Sequence, residues 1–296
     1  MVRSTYRIGA QIIVAIGLLF SVLAYAASII LTARRKPDSA DSPQNHGLKF
    51  ETVYFPSTDG LILEGWWIPA DEVGGTVIQC HGQNGSMDAD IREAKILHDA
   101  GFNVFMFNFR AHGRSQGEYV TFGWFEEGDL HGAVDYLARQ HDINEVGVLG
   151  FSMGSMVAIR SAGLNDNIKC VVADGAIGRL HHTLIRWLVD KGIPNWLATP
   201  FTWAMLWMGS QRTGAAMTKI NAVRWAAQMQ NCPTLFIHGS DDNLVPIADI
   251  EDLVANAPIH TKLWIVPGCK HRQVHLLYPE EYAQRITAWF SEHLTL

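Results

Sequence analysis

The chain has 296 residues, of which 48% are hydrophobic and 18% are charged, and its formal net charge is −6 at pH 7. Because the charge is negative and provides no basic face, the composition argues against a nucleic-acid-binding protein. Four cysteines in a chain of this length do not resemble a disulfide framework, so the fold is expected to depend on a hydrophobic core.

An apolar stretch comes first along the chain. Residues 8–33 contain no charged residue and no proline over 26 positions. At about 1.5 Å per residue this helix would span about 39 Å, enough to cross a hydrocarbon core of about 30 Å. We therefore predict a transmembrane anchor over residues 1–33. A cleaved signal peptide is the alternative because Ala24-Tyr-Ala26 resembles a cleavage site, but the apolar run continues through residues 29–31.

The charges that flank this stretch only slightly favour one orientation. Two arginines precede it and three basic residues follow it, which leans toward a cytoplasmic catalytic domain and leaves the side of the membrane open. Residues 34–47 are polar and aperiodic and contain proline and serine, which predicts a linker. The remaining residues 48–296 have the length of one domain.

Strand-like and helix-like patterns alternate over residues 48–296. This alternation predicts an α/β fold with a mostly parallel central sheet and helices on both of its faces. The predicted strands cover residues 49–55, 61–69, 76–80, 103–108, 145–149, 171–174, 233–238 and 262–266, and the predicted helices cover residues 88–100, 123–140, 155–162 and 279–293. The first two strands form a hairpin that turns at Thr58-Asp-Gly60.

The segment Gly150-Phe-Ser-Met-Gly154 has the pattern G-x-S-x-G. An apolar strand precedes it and a helix rich in small residues follows it, which is the context of a nucleophile elbow. Such a turn holds the serine in a strained backbone at a helix N-terminus, where backbone N–H groups stabilise an anion. Ser152 is therefore the candidate nucleophile, and a glycine-rich turn with a serine helix cap is the structural alternative.

A serine nucleophile needs a base and a third group that orients the base. Two carboxylates, Asp241 and Asp242, follow the predicted strand 233–238, and His271 follows the next strand. Both positions lie just past the carboxyl ends of strands, where open parallel sheets form their active sites. Asp241 remains an alternative to Asp242, and His275 remains an alternative to His271.

These segments resemble serine hydrolases of the α/β-hydrolase superfamily over about residues 48–294. The resemblance rests on His81-Gly82, Arg110 to Gly117, Gly150 to Gly154, the G-x-x-D-x-x-V-P stretch Gly239 to Pro246, and Gly268-x-x-His271 followed by residues 279–282. The N-terminal apolar segment makes the chain similar to the membrane-anchored branch that includes Bem46-like and ABHD13-like hydrolases. Asn108 and Ala111 depart from the family pattern, in a structural turn that leaves the motif residues intact.

The resemblance implies a role for each site residue. Ser152 attacks a carbonyl carbon, His271 accepts and returns the proton, and Asp242, at the acid position of its motif, orients the histidine. The backbone N–H groups of Gln83 and Met153 are implied as the oxyanion hole. No cofactor and no metal are expected, and serine at the nucleophile position argues against dehalogenase or epoxide-hydrolase chemistry.

The resemblance also implies a lid over residues 175–231, between the sixth and seventh core strands. This segment contains five of the chain's ten tryptophans and four of its nine methionines, a composition suited to an apolar pocket for an acyl chain. Packing of helices onto the sheet is expected to account for most of these side chains. Contact with the membrane interface is the alternative for some of them.

We therefore expect a membrane-anchored serine hydrolase that cleaves ester or thioester bonds of a small-molecule or lipid-like acyl substrate. A serine aminopeptidase-like peptidase on the same fold is one alternative, and Asp190 is the obvious acid for a substrate ammonium group. A non-catalytic binding scaffold is the other alternative. The presence of serine, aspartate and histidine at all three motif positions argues against a scaffold.

Overall fold

The computed structural model describes residues 2–36, 41–71, 74–229 and 231–294. Residue 1 of the predicted anchor, residues 37–40 of the predicted linker and residue 230 of the predicted lid lie outside this range. The strands of the described chain are β1 (Glu51–Pro56), β2 (Ile62–Ile68), β3 (Thr76–Cys80), β4 (Asn103–Phe107), β5 (Val146–Phe151), β6 (Ile168–Asp174), β7 (Thr234–Gly239) and β8 (Lys262–Val266).

These strands form one sheet in the order β1-β2-β4-β3-β5-β6-β7-β8. Strand β2 is antiparallel to β1 and β4, whereas all pairs from β4 to β8 are parallel. Every residue of β3, β4, β5 and β7 is buried. Parallel strands are buried on both sides because helices cover both faces of the sheet.

The helices of the described chain are α1 (Val2–Thr32), α2 (Ile91–Asp99), α3 (Glu126–His141), α4 (Met153–Ala162), α5 (Leu180–Asp190), α6 (Asn195–Thr213), α7 (Ala222–Ala226), α8 (Ile247–Asn256), α9 (Val274–Leu277) and α10 (Pro279–His293). Helices α3, α4, α7 and α8 contribute to the core on one face of the sheet, and α2 and α10 contribute to the core on the other. The predicted mostly parallel sheet with helices on both faces is confirmed.

Helices α3 and α8 are among the helices that differ from the predicted elements. Helix α3 begins at Glu126 rather than at Gly123, because the Glu126 carboxylate accepts the Thr121 N–H at 2.6 Å and the Gly123 N–H at 2.8 Å and so holds the preceding residues in a turn. Helix α8 lies in a segment for which the sequence predicted no element, and it begins directly after Pro246.

A buried arginine ties the turn after β4 to the hairpin and to α3. Arg110 Nη2 donates to Asp129 Oδ1 of α3 at 2.7 Å, and Arg110 Nη1 donates to Asp59 Oδ2 of the β1–β2 turn at 2.7 Å. Asp129 is fully buried, and burial raises the pKa of its carboxyl to about 6 although the charge of Arg110 acts in the opposite direction. This network holds the antiparallel edge of the sheet against the parallel part.

The N-terminal helix α1 has two parts with different surroundings. Its apolar side chains from Tyr6 to Leu23 are mostly exposed, and the segment Tyr6–Thr32 is long and apolar enough to cross a membrane. Near its C-terminal end, α1 packs against α6 through Ala24, Ser28 and Thr32, which are buried and spaced by four residues along one face. The end of α1 is therefore part of the folded domain.

The tryptophans of the lid are mostly not packed onto the sheet. Four of its five tryptophans are exposed: Trp187, Trp196, Trp203 and Trp207. The expectation that helix packing accounts for most of the aromatic and methionine side chains is therefore wrong for the tryptophans, although Met205, Met217 and Met229 are buried. Trp196, Trp203 and Trp207 lie on α6, which packs one side against α1 and leaves these three rings on the outside, whereas Trp187 lies on α5.

A cluster of buried charges lies beneath the loop that follows β8. Arg272 Nη2 donates to Asp90 Oδ1 at 2.7 Å, and the Tyr282 hydroxyl donates to Asp174 Oδ2 at 3.0 Å. Burial, together with the charge of Asp90, raises the pKa of Glu93 on α2 from 4.5 to about 8 despite the opposing charge of Arg272. Glu93 therefore holds a proton at neutral pH in the folded chain.

We expect the substitution Glu93→Gln to stabilise the protein in a pH-dependent manner. The pKa of Glu93 is higher in the folded than in the unfolded chain, so unfolding between pH 4.5 and about 8 releases a proton and the free energy of unfolding falls as the pH rises. Glutamine has no proton to release. The variant should match the wild type near about pH 4 and exceed its unfolding free energy by at least about 1 kcal/mol at about pH 8.

Urea unfolding at the two pH values measures this effect. The exposed Glu281 on α10 provides a control, because Glu281→Gln should change the unfolding free energy by no more than about 0.5 kcal/mol at either pH. A Glu93→Gln variant that is no more stable than the wild type at the higher pH would contradict the raised pKa.

Candidate active site

Ser152 lies on the sharp turn between β5 and α4. Its backbone has φ 52° and ψ −108°, a combination that residues other than glycine rarely adopt. The Ser152 N–H donates to the Asp174 carbonyl at 2.9 Å, and the Ser152 carbonyl accepts the Ser155 N–H at 3.1 Å. These bonds hold the strained conformation in place and present the hydroxyl at the N-terminus of α4.

Gly150 and Gly154 flank the serine because the turn leaves no room for side chains there. A Cβ on Gly150 would lie 2.7 Å from the Gly154 carbonyl oxygen, and a Cβ on Gly154 would collide with the Cys80 carbonyl. Ser155 is accommodated because its Oγ donates to the Gly150 carbonyl at 2.6 Å. The Ser155 hydroxyl therefore binds the helix to the strand rather than crowding the contact between them.

Asp242 and His271 reach Ser152 from the ends of two neighbouring parallel strands. Asp242 follows β7 and His271 follows β8. The distance from His271 Nε2 to Ser152 Oγ is 3.0 Å, and the distance from His271 Nδ1 to Asp242 Oδ2 is 2.7 Å. With the proton on Nδ1, the three side chains form a continuous chain of hydrogen bonds at the carboxyl edge of the sheet.

The surroundings of Asp242 favour its ionised form. Its Oδ1 accepts the backbone N–H groups of Leu244 at 2.8 Å and Val245 at 2.9 Å. Burial alone raises the pKa of this carboxyl, but the hydrogen bond and charge of His271 and the two backbone N–H groups outweigh burial and hold the pKa below its ordinary value. An ionised Asp242 keeps the proton of His271 on Nδ1 and leaves Nε2 free to accept one.

The structure brings neither predicted alternative to Ser152. Asp241 is exposed, and its carboxylate accepts the Ser240 hydroxyl at 2.7 Å. His275 Nδ1 lies 3.7 Å from Glu93 Oε1, away from the cavity, and burial lowers the pKa of His275 to about 4. The position in the loop thus decides between adjacent aspartates, because only one of the two side chains turns toward the histidine.

Gln83 and Met153, whose backbone N–H groups are the predicted oxyanion hole, both lie near Ser152. Met153 is the first residue of α4, and Gln83 lies in the loop after β3. This loop passes close to the serine, because a Cβ on Gly82 would lie 3.7 Å from Ser152 Cβ. In the part of the chain that the structure describes, neither N–H donates to a loop carbonyl or a side chain. Both are available to an anion at the helix N-terminus.

Two buried histidines hold the Gln83 loop. His112 Nε2 lies 2.9 Å from the Gln83 carbonyl oxygen. His81 Nε2 accepts the Phe109 N–H at 3.0 Å, so its Nδ1 carries the proton and donates to the Gly82 carbonyl at 2.7 Å. Burial lowers the pKa of both imidazoles. These rings set the position of the loop.

Arg272 is a site residue that the sequence reasoning missed. It has a positive φ of 55°, lies against the cavity directly after His271, and stacks on the Phe151 ring with 4.0 Å between the guanidinium carbon and the ring centre. Its ion pair with Asp90 fastens the histidine loop to the segment before α2. The only signal in the sequence was a basic residue next to the predicted base, since its partner lies 182 positions away.

A cavity of about 570 Å³ opens beside Ser152, a volume suited to a ligand of drug or lipid size. Most of its apolar lining comes from α1, α5 and α6 and includes Ile30, Leu184, Trp187, Phe201 and Met205. Among the described residues its charged lining is cationic or titratable, from Arg35, His271 and Arg272, without a carboxylate. Within the same residues, no three His, Cys, Asp or Glu side chains cluster as metal ligands would.

Comparison with known proteins shows which fold this arrangement of strands, helices and site residues is similar to. The family described as alpha/beta hydrolase fold matches residues 75–197, which include the turn at Ser152. Among solved structures, the esterase Pf2001 of Pyrococcus furiosus is similar with a TM-score of 0.75 and 27% identity, over 89% of this chain and 99% of the esterase. A carboxyl esterase of Bacillus coagulans, at 17% identity and a TM-score of 0.65, shares the fold.

Similar proteins of bacteria extend the match to most of the chain. YqkD of Bacillus subtilis, an uncharacterized protein, is 25% identical over 288 residues, which cover 92% of this chain and 91% of YqkD. YfhR of Escherichia coli, also uncharacterized, is 26% identical over 231 residues, which cover 75% of this chain and 73% of YfhR. With the sheet order described above, these similarities show that the chain has the alpha/beta hydrolase fold and support an esterase-like hydrolase.

Proposed function

We propose that the protein is a serine hydrolase that cleaves carboxylic esters or thioesters with an apolar acyl group through an acyl-enzyme intermediate. The observation that carries this proposal is the hydrogen-bond chain from Ser152 through His271 to Asp242, which ends at an apolar cavity. A hydroxyl, a base and an orienting carboxylate in this order are what nucleophilic catalysis by serine requires.

The first half of the reaction transfers the acyl group to Ser152. Its Oγ forms a bond to the carbonyl carbon while the hydroxyl proton passes to His271 Nε2 and the carbonyl electron pair moves onto oxygen. The resulting oxyanion accepts hydrogen bonds from the backbone N–H groups of Gln83 and Met153. When the bond to the leaving alcohol or thiol breaks, His271 gives its proton to that group.

The second half returns the enzyme to its starting state. Water takes the place of the leaving group, loses a proton to His271 Nε2 and bonds to the acyl carbon. Collapse of the second oxyanion breaks the bond to Ser152 Oγ, which takes the proton back from His271 and releases the carboxylic acid. Throughout, the ionised Asp242 stabilises the imidazolium form of His271.

The cavity lining favours an ester over the two alternatives weighed from the sequence. Asp190, the acid considered for a peptidase, is exposed at the end of α5 and is not part of the lining. A cavity whose charged lining includes Arg35 and Arg272 does not favour a substrate ammonium group. A binding scaffold would need neither the strained Ser152 backbone nor the aligned histidine, both of which cost stability.

We also propose that α1 anchors the enzyme in a membrane, as in the membrane-anchored branch that the sequence resembles. Its exposed face from Tyr6 to Leu23 is apolar, and such a face is unfavourable in water. Three of the four exposed lid tryptophans, Trp196, Trp203 and Trp207, lie on α6, the helix that packs against α1, and tryptophan is enriched at membrane–water interfaces. The arrangement supports a domain seated on the membrane surface beside its anchor.

The function is tested by hydrolysis of p-nitrophenyl esters from acetate to dodecanoate. We expect the full chain in detergent to hydrolyse them with a kcat/KM that rises with acyl length, because the cavity lining is apolar. Ser152→Ala should lower kcat by at least about 10⁴-fold, since the nucleophile is removed. Ser161→Ala, also buried on α4, should retain activity. Equal activity of the Ser152 and Ser161 variants would refute the proposal.

The choice of acid is tested by two variants of adjacent residues. We expect Asp242→Asn to lower kcat by about 10³- to 10⁴-fold, because asparagine cannot hold the proton of His271 on Nδ1. Asp241→Asn should leave kcat close to that of the wild type, since Asp241 is exposed and, within the described chain, its side chain bonds only to Ser240. The initial rates of p-nitrophenyl butyrate hydrolysis decide the matter, and a larger loss in Asp241→Asn would reverse the assignment.

The anchor is tested by membrane fractionation of the full chain. After an alkaline carbonate wash we expect the protein in the membrane pellet and its release only by detergent, because α1 is long and apolar enough to span. Replacing the exposed Ile16 and Leu19 by lysine should move protein to the supernatant. A mature protein whose mass shows cleavage after Ala26 would instead establish a signal peptide.

A further inference from the structure

The N-terminal helix forms one wall of the cavity beside Ser152. Ala27, Ile30 and Leu31 of α1 line this cavity, together with Arg35 directly after the helix. The facing wall comes from α5 and α6 and includes Trp187. An element that looks in the sequence like a simple anchor therefore contributes side chains to the candidate substrate site.

Specific bonds fix this end of α1 on the lid. Arg212 of α6 donates to the Ser28 carbonyl at 3.2 Å and to Thr32 Oγ1 at 3.0 Å. The Phe20 ring meets the Phe201 ring edge to face, with 5.7 Å between the ring centres. Thus the α1 wall is held by polar and aromatic contacts to the same helix that forms the opposite side of the cavity.

The chain that follows α1 is fixed on the catalytic domain as well. The Val120 N–H donates to the Thr32 carbonyl at 3.0 Å, and the Arg35 N–H donates to the Ala111 carbonyl at 2.8 Å. The Arg34 guanidinium donates to the carbonyls of Gly113 and Ser115 at 2.8 and 2.7 Å. The position of α1 beside the cavity is therefore fixed both by α6 of the lid and by the segment that follows β4.

The rim of the cavity is apolar where α1 faces α5. Ile30 is 68% exposed and Trp187 is 48% exposed, although both line the cavity. Side chains that are exposed and also line a cavity mark its mouth. An apolar mouth between two helices admits a hydrocarbon chain more readily than a soluble polar molecule.

The mouth lies at the expected height of the membrane surface. The part of α1 from Tyr6 to Leu23, whose apolar side chains are mostly exposed, spans about 27 Å at about 1.5 Å per residue, close to a hydrocarbon core of about 30 Å. The residues that line the cavity come directly after this part. The exposed Trp203 and Trp207 of α6 are on the helix packed against it, as expected at an interface.

We propose that α1 is part of the acyl-binding site, and that the acyl chain of an ester lipid in the bilayer enters between α1 and α5 and lies against Ala27 and Ile30. This inference rests on the proposed serine hydrolase function. A lipid is favoured over a water-soluble ester because the mouth is apolar and follows the spanning part of the helix. The cationic Arg35 at the polar end of the wall suits an anionic head group.

Two adjacent alanines of α1 provide a matched test. Ala27 lines the cavity, whereas Ala26 is exposed on the outer side of the helix. We expect Ala27→Phe to displace about two methylene groups of a long chain and so to lower kcat/KM for p-nitrophenyl dodecanoate about tenfold. Ala26→Phe should behave as the wild type on both dodecanoate and acetate, and Ala27→Phe should lose less activity toward p-nitrophenyl acetate than toward the dodecanoate.

The lipid source is tested with the full chain reconstituted in phosphatidylglycerol vesicles. We expect the wild type and Ala26→Phe to release fatty acid from the vesicles and Ala27→Phe to release it about tenfold more slowly. Dodecanoate hydrolysis that depends on residue 27 without any release from vesicles would overturn the lipid assignment. It would point to an acyl group carried by another molecule, such as an acylated protein.

Failure of this inference is distinguishable from failure of the proposed function. Acetate hydrolysis that persists in Ser152→Ala refutes the function itself. Acetate hydrolysis that requires Ser152, with equal dodecanoate rates in Ala26→Phe and Ala27→Phe, refutes only the role of α1. If Ala27→Phe loses acetate hydrolysis through misfolding, the pair Ile30→Trp and Ile29→Trp at the exposed rim decides, because only Ile30 of the two lines the cavity.

Discussion

The strained backbone at Ser152 is the constraint on which the site depends. A positive φ at this position lets β5 turn at once into α4, so that a hydroxyl, a helix N-terminus and the edge of the sheet meet at one point. The same turn forbids side chains at Gly150 and Gly154, where a Cβ would meet backbone atoms. Two hydrogen bonds also hold the turn: the Ser155 hydroxyl donates to the Gly150 carbonyl, and the Asp174 carbonyl accepts the Ser152 N–H.

The groups that face Ser152 are held by parts of the chain remote from it. His271 stands between Ser152 and the ionised Asp242, and its loop is fastened to the segment before α2 by the ion pair of Arg272 with Asp90. A buried ion pair contributes little net stability, because desolvation offsets the attraction between the charges. Its value here lies in geometry, since a base must stay within hydrogen-bond distance of its nucleophile.

The cavity is lined by residues from the N-terminal helix, from the middle of the chain and from the loop after β8. Helix α1 and the lid helices enclose the space above Ser152, while the loops after β3 and β8 provide its polar floor. The exposed tryptophans and the apolar face of α1 lie on the outside of the same structure. A membrane in contact with that outer surface would meet the apolar mouth between Ile30 and Trp187. The orientation in which α1 anchors the domain would then also place the mouth of the cavity against the membrane.

Local patterns in the sequence predicted the alternation of strands and helices and identified Ser152, Asp242 and His271 as candidate site residues, because alternation and short turn motifs depend on neighbouring residues. Asp242 was separated from Asp241 by its place in a motif, and the loop geometry agrees. Only the tertiary structure decided that Arg272 pairs with a distant aspartate, that four of the five lid tryptophans are exposed, and that α1 lines the cavity. Such contacts join residues far apart in the chain, and packing of the whole fold sets them.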